Sequence, residues 1–444
     1  MSTDVNSGML HDAEEQIDEI LGHEYEHEPV PLSARRSPFS VLMVWIGFPM
    51  IITGAMTGSL LVLGMGFKNA LIAMIVGNLI MFAYVGALGL IGTKRGMNFA
   101  LIASIVFGRK GYVMASGLLS TLLLGWYAVQ TGITGNLVSS TYHLNYVAMT
   151  VVAGILYIGI TFVGVRGLHW IGIASVPLFV VLGIWVAADA ASTTTWTAIM
   201  GYAGNNGAAT MSMGVGLTVV LTLFIDAGTV TADFNRWAPT AKSSLAATFS
   251  AFPFANLVAM LVGGVMTAAL ATPNANPFGA DNMFGYMNGK QLTWLSVLAF
   301  IFLYANLGSV CSHCLYNAAT GWSRILGTNM RLMAVILGIV GIIVAAGNVW
   351  AFFIQWLSLL GILVPPIGGI ILVDQYLVRP EAKIDADWRP VAFGSWVIGS
   401  VCAFIVEYTM PWLSTALSAA IIGGVVYFVA AKMSVATENA PGVA

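Results

Sequence analysis

Residues 39–64 read FSVLMVWIGFPMIITGAMTGSLLVLG, without one Asp, Glu, Lys, Arg or His. A helix crossing the hydrocarbon core of a bilayer needs roughly 20 mostly apolar residues, and this stretch supplies them. About ten residues in, it is interrupted by Ile46-Gly47-Phe48-Pro49. Proline removes a backbone donor, and the nearby glycine loosens the turn. Backbone groups freed inside a bilayer must find partners, so an interrupted span is tolerated where it lines a cavity enclosed by protein. Taken alone, Gly47 and Pro49 also fit a simple kink.

The rest of the chain reads the same way. Its 444 residues are 58% hydrophobic and only 8% charged, against about 25% charged in soluble domains. That composition predicts one polytopic membrane body, not a string of soluble domains. Twelve apolar stretches are long enough to be spans: 39–64, 69–93, 112–138, 146–165, 168–190, 213–232, 246–272, 291–319, 332–347, 350–373, 390–405 and 413–431. With the amino terminus in the cytoplasm, alternation places fifteen Lys and Arg residues on the inner side and only Lys68 and Lys290 on the outer side. Such a bias is the positive-inside signature. It predicts an integral protein of the plasma (inner) membrane with both termini cytoplasmic.

Residues 1–28 carry nine acids and no Lys or Arg. A signal peptide, which opens on basic residues and has an apolar core, is therefore not expected in this stretch. The stretch to residue 38 is expected to be a solvated acidic tail, with a short amphipathic helix around residues 13–21. Three cysteines exclude a disulfide scaffold. No basic cluster exceeds two adjacent residues, so no nucleic-acid partner is implied. A GxxxxGK loop is missing, and no soluble segment exceeds about 40 residues. An ATP-driven pump and a membrane enzyme are therefore not expected.

The sixth stretch reads Leu221-Thr222-Leu223-Phe224-Ile225-Asp226-Ala227-Gly228-Thr229. It carries a carboxylate and a glycine at a depth comparable to Gly47 and Pro49. Interrupted spans at matching positions of two halves point to a transporter site, so Gly47–Met50 and residues 223–228 are expected to be non-helical and to face each other. A charge at mid-membrane costs roughly 2.5–3.5 kcal/mol on the insertion scale. Asp226 is thus expected either to serve substrate, ion or proton, or to cap a helix break. Trp126 and Gln130, at i and i+4, share a helix face. A flat aromatic beside a carboxamide suits a planar heteroaromatic ring, although a lone Gln also serves helix packing. Phe224 offers a second stacking face. The eighth stretch is dense in polar residues, among them Asn306, Ser309, Cys311, Ser312, His313, Cys314 and Asn317. Its two cysteines and histidine lack a fourth ligand for a metal cluster.

Four further segments, in order along the chain, resemble those of one family. These are Val30-Pro31-Leu32-Ser33-Ala34-Arg35, Phe107-Gly108-Arg109-Lys110-Gly111, Ala232-Asp233-Phe234-Asn235-Arg236-Trp237, and Pro365-Pro366 followed by Asp374-Gln375-Tyr376. They resemble the nucleobase:cation symporter-1 family of cytosine, purine, hydantoin and allantoin carriers. The resemblance implies an all-α integral membrane fold of twelve helices. It also implies a five-plus-five inverted repeat of the leucine-transporter type, with helices 1 and 6 broken. The layout is then an acidic tail (1–38), a first repeat (39–190), a second repeat (213–376), two added helices (390–431) and a short tail (432–444).

By the same resemblance Trp126 matches the family's stacking tryptophan, and Gln130 a glutamine of hydantoin- and allantoin-type members. Phe224 matches its second aromatic. Asp226 stands where cytosine-type members look to carry serine, Leu123 where they look to carry glutamine, and Cys314 where a substrate-facing Asn is found. The family's sodium position maps onto Gly47, Met50, Ala305, Gly308 and Ser309, with Gly308 replacing one of two hydroxyl ligands. The expected function is secondary active import of a small planar nucleobase-like heterocycle such as cytosine or a purine. A Na⁺ or H⁺ gradient would drive it, with no cofactor, in a monomer embedded in lipid. The alternative is another amino-bearing or cationic heterocycle, such as allantoin, a hydantoin or a vitamin precursor.

Overall fold

The computed structural model describes residues 16–17 and 19–438, and among them every regular element is helical. Eight helices are long and apolar enough to cross a membrane: Phe67–Arg95, Tyr112–Tyr142, Val165–Ala191, Ala241–Leu270, Thr293–Leu326, Val349–Val378, Pro390–Thr409 and Thr415–Met433. Three shorter apolar helices, Tyr146–Phe162, Met213–Thr222 and Met330–Ala346, accompany them. Large apolar side chains cover the outside of the bundle; Val181 is 66% exposed, Ile343 68% and Val397 60%. Such a surface suits lipid, because soluble monomers rarely expose contiguous apolar patches of that extent.

The opening stretch folds as two helices, Pro38–Gly47 and Ile52–Met65, bent by 49° across a short break. Ser37 caps the first, with Pro38 at the initial helical position, where a missing N–H is harmless. The second runs against Ala241–Leu270 at very short range. A Cβ placed on Gly58 would fall 1.9 Å from the Met260 carbonyl oxygen, and one on Gly263 would fall 1.9 Å from that of Ala55. Small residues let the backbones approach where lipid supplies no hydrophobic drive between helices.

The sixth stretch is divided as well, into Met213–Thr222, Ile225–Thr229 and Ala232–Asn235. Here the expectation for 223–228 needs correcting. Only Leu223 and Phe224 leave the helix. The Gly228 N–H donates to the Phe224 carbonyl, and Thr229 Oγ1 to that of Ile225, which closes a new turn at once. Other boundaries move for local reasons. Val165 opens a helix instead of ending one, because Gly164 takes φ +78°. Pro390–Thr409 runs past residue 405 and so includes Glu407, whose carboxylate accepts from Ser358 Oγ and Thr415 Oγ1. The buried helix Phe99–Val106 was not foreseen. Asn98 caps it, and Asp233 Oδ1 accepts from the Phe99 N–H.

The basic loops gather at one end of the bundle. Arg35 donates to the carbonyls of Thr93 and Ala238, Arg95 to those of Pro380 and Ala382, and Arg379 to that of Ile105. Lys290 pairs instead with Asp189 near the end of Val165–Ala191. The segment from Gly22 to Arg36 crosses the basic end, and over this part the expectation of a solvated tail fails. Glu24 is 3% exposed and Glu26 6%. The Glu24 carboxylate accepts from Tyr316 Oη and the Val165 N–H, while Arg236 donates to the Tyr25 and Glu24 carbonyls. Burial raises the Glu24 carboxyl above the usual range, against the pull of Tyr316, Arg331 and Arg236. The amphipathic helix expected near residues 13–21 lies partly outside the described residues. Its described part, 16–17 and 19–21, is helical.

Candidate functional site

A closed slot lies between the two interrupted segments. Phe48 comes from the first break, Leu223 and Phe224 from the second, and Asp226 and Ala227 from the helical turn that follows it. Helix Tyr112–Tyr142 adds Trp126 and Gln130, and helix Thr293–Leu326 adds Val310 and Cys314. Trp126, Gln130, Phe224, Asp226 and Cys314, the five candidates from the sequence, therefore meet at one cavity. It encloses about 10 Å³, room for about one water molecule. A planar ring enters only when the walls part, and two walls are the segments where helix is interrupted.

Aromatic contacts shape one side. Phe48 stands edge-on to Phe224, with ring centroids 5.3 Å apart, and lies nearly parallel to His313 at 4.9 Å. Trp126 packs edge-on against Phe353 at 5.6 Å. The polar groups are few and directed. Gln130 Oε1 accepts from Thr53 Oγ1 at 2.7 Å, while Gln130 Nε2 is buried without a hydrogen bond. Asp226 Oδ1 accepts from the Ala227 N–H at 2.8 Å, while Oδ2 is buried and unpaired. Trp126 Nε1 makes no hydrogen bond of full geometry, but it lies within reach of the Asp226 carboxylate. A buried polar atom left unpaired costs of order 1–3 kcal/mol. Here the Trp126 indole and the Asp226 carboxylate are near enough to partner each other, and Gln130 Nε2 is left without a partner.

The positions proposed to hold an ion separate into two groups. Gly47 and Ser309 meet directly, Ser309 Oγ donating to the Gly47 carbonyl at 2.8 Å. The Met50 carbonyl is met by neither Ala305 nor Gly308. Its donor is Asn306 Nδ2, at 2.8 Å. Gly308 faces the Tyr157 ring, which a Cβ there would approach to 2.8 Å, and Ala305 is half-buried. Cys311, His313 and Cys314 diverge: Cys311 faces Thr131, His313 Nδ1 bonds the Ser309 carbonyl, and Cys314 lines the slot.

Sequence reasoning passed over Thr53, Phe48 and Asn306 as site residues. Phe48 and Thr53 carry no signal beyond their closeness to the Gly-x-Pro interruption. Asn306 carried one, as an amide inside a long apolar helix, but that signal is shared with its polar neighbours. Asn317, one helical turn beyond Cys314, is another: both of its side-chain polar atoms are buried and unpaired.

Most of the segments behind the family resemblance knit the basic end of the bundle, but Phe234 also stands edge-on to Phe48 of the slot, and Pro366 lies within helix Val349–Val378 against Gly399 and Gly423. The Val30 N–H donates to the Gly96 carbonyl. Gly108, at φ +97°, sits where a Cβ would come 2.6 Å from the Asp387 carbonyl oxygen. Asn235 Oδ1 accepts from Trp45 Nε1, and Asp374 holds Arg379 and Tyr427 Oη.

Comparison with known proteins gives concordant results. Residues 29–444 match the family described as permease for cytosine/purines, uracil, thiamine and allantoin. The cytosine permease of Escherichia coli K12 is 28% identical over 381 residues, which is 84% of this chain and 85% of the relative. Among solved structures, the chain resembles Mhp1, a nucleobase-cation-symport-1 family transporter in a closed conformation with bromovinylhydantoin bound. The TM-score is 0.77 at 15% identity, covering 93% of this chain and 96% of that one. A Na⁺-coupled sialic acid symporter in a substrate-bound outward-open state shares the fold at a TM-score of 0.65. It is 12% identical, with 91% of this chain and 90% of that one covered.

Proposed function

Since this chain belongs to the family of permeases for cytosine/purines, uracil, thiamine and allantoin, and is accordingly a membrane transporter and not an enzyme, we propose that it is a symporter. It imports a small planar nucleobase-like heterocycle, cytosine or a purine, on a Na⁺ or H⁺ gradient. The observation that carries this reading is the slot itself: aromatic walls, with the Gln130 carboxamide, whose Nε2 is unpaired, and the Asp226 carboxylate beside the Trp126 indole. A nucleobase presents ring and carbonyl acceptors beside an N–H or exocyclic amine on one flat edge. Gln130 Nε2 would meet the former and Asp226 the latter, while the ring lies on the face of Trp126.

The architecture proposed for the cycle is twelve spans in two inverted repeats, 39–190 and 213–376, followed by 390–431. The long helices, the bent pair and the shorter apolar helices agree with that count. The bent pair and the divided sixth stretch are then helices 1 and 6, and their movement opens the slot. The tails 1–38 and 432–444 would lie in the cytoplasm of a monomer in the inner membrane, as the clustering of basic loops at one end supports. A second reading is favoured by Asp226 and Gln130 together. A carboxylate facing the ligand suits an amino-bearing or cationic heterocycle, and the carboxamide suits allantoin or a hydantoin.

Uptake of radiolabelled cytosine, adenine, uracil, allantoin and thiamine into proteoliposomes decides between the readings. The proposal expects cytosine or a purine to accumulate under an imposed Na⁺ or H⁺ gradient. Accumulation of allantoin or thiamine alone supports the second reading, and none of the five accumulating refutes both. Thr53→Val probes the slot more finely. It frees Gln130 from the bond that orients it, worth about 1 kcal/mol, and affinity for the accumulated ring is expected to fall roughly fivefold. Equilibrium binding to the purified protein measures it.

A further inference from the structure

We propose that Asn306 stands where a coupling cation would bridge the first break, so that this chain holds its bend with its own side chains and binds no Na⁺ there. The inference rests on reading the bend as part of the moving transport site. A hard cation such as Na⁺ is held by oxygen atoms only, carbonyls and hydroxyls whose lone pairs all point inward. The residues at this bend do not fit that demand.

Asn306 is completely buried on helix Thr293–Leu326. Its Nδ2 donates to the Met50 carbonyl at 2.8 Å, and its Oδ1 accepts from the Ile52 N–H at 2.7 Å. One carboxamide thus grips the chain on both sides of Ile51, where the second half of the bent pair restarts. An N–H directed at a carbonyl occupies one of its two lone pairs, and its positive end repels a cation approaching the other. The Gly47 carbonyl is treated alike, since Ser309 Oγ donates to it at 2.8 Å. The Ser309 carbonyl in turn accepts from His313 Nδ1 at 2.7 Å. Gly308 has no side-chain oxygen and faces the Tyr157 ring. Two protein donors thus bind the two break carbonyls, Gly47 and Met50, that a cation would bridge. They tie the bend to the long helix as an ion would.

The test needs no substrate, so it stands apart from the uptake panel. Purified protein is melted at about 0.15 M NaCl, KCl or choline chloride. A cation bound only to the folded protein raises its melting temperature by linkage. The wild-type protein is expected to melt at the same temperature in all three salts. A Na⁺-specific rise of about 2 °C or more overturns the proposal. Asn306→Asp replaces the inward N–H with a carboxylate oxygen of the same shape. That protein is expected to melt lower than wild type in choline and to recover by about 2 °C or more in NaCl over KCl. The same indifference to Na⁺ in Asn306→Asp as in wild type overturns the assignment of Asn306 to the cation's position. Failure of every heterocycle to accumulate would sink the transport reading and leave these melting results unexplained by it, so the two failures are distinguishable.

Discussion

Proteoliposomes carrying Asp226→Asn are expected to exchange the heterocycle across the membrane but no longer to accumulate it against a pH gradient. Asp226 is 1% exposed; one oxygen of its carboxylate accepts from the adjacent Ala227 N–H, and the group lies within reach of the Trp126 indole. Its other oxygen faces the slot that Trp126, Gln130 and Phe224 line. Asparagine keeps the shape and the hydrogen-bonding capacity but cannot gain or lose a proton. If the carboxylate carries the coupling proton, binding survives the change and the accumulation ratio collapses to one. If it anchors an exocyclic amine instead, affinity for amino-bearing rings falls and rings with a carbonyl at that place are tolerated. Uptake and counterflow at two pH values, with amino and oxo analogues, separate these outcomes. A merely structural carboxylate predicts neither, only less folded protein. Wild-type accumulation, selectivity and pH response in Asp226→Asn would remove Asp226 from the mechanism. If the bend binds no Na⁺, as proposed, Asp226 is the acid of the slot left to carry coupling.

Trp126→Ala is expected to weaken binding of a planar heterocycle about tenfold or more. Stacking of a base on an aromatic side chain is worth roughly 1–3 kcal/mol by alanine replacement, and about 1.4 kcal/mol is a factor of ten. Trp126 is 3% exposed and lines the slot, with its indole N–H within reach of Asp226. The substitution therefore removes a stacking face and a donor together. Trp126→Phe separates the two, because it keeps a face and loses the N–H, so its loss is expected to be the smaller. Titration calorimetry with the accumulated heterocycle measures both. Undiminished affinity in a Trp126→Ala protein that melts like wild type rules out ring stacking at this position.

Several of these residues were legible because a bilayer leaves few options. Asp226 was conspicuous as a carboxylate inside an apolar run, and Gly47 and Pro49 as helix breakers inside another. Trp126 and Gln130 shared a face by spacing alone. Asn306 and Thr53 were not legible in that way. Thr53 is an ordinary small polar residue near a helix start, and only the crossing of two helices shows that its hydroxyl orients Gln130. Asn306 sits among polar neighbours, and its partners Met50 and Ile52 lie more than 250 positions away. The acidic segment misled for the same reason. Its charge predicted exposure, but Arg236, Tyr316 and the Val165 N–H, distant in sequence, provide a buried place for Glu24.

The amino-acid order by itself determined the all-helical membrane class, the approximate places where the first and sixth stretches are interrupted, and the family. These follow from local chemistry: apolar run length, missing backbone donors, and short motifs that knit one end of the bundle. Only the tertiary structure decided that the substrate candidates line one closed slot, and that the break's carbonyls are taken by Asn306 and Ser309. Those outcomes depend on which side chain arrives at a given carbonyl when helices far apart in sequence pack, and no local pattern encodes that arrival.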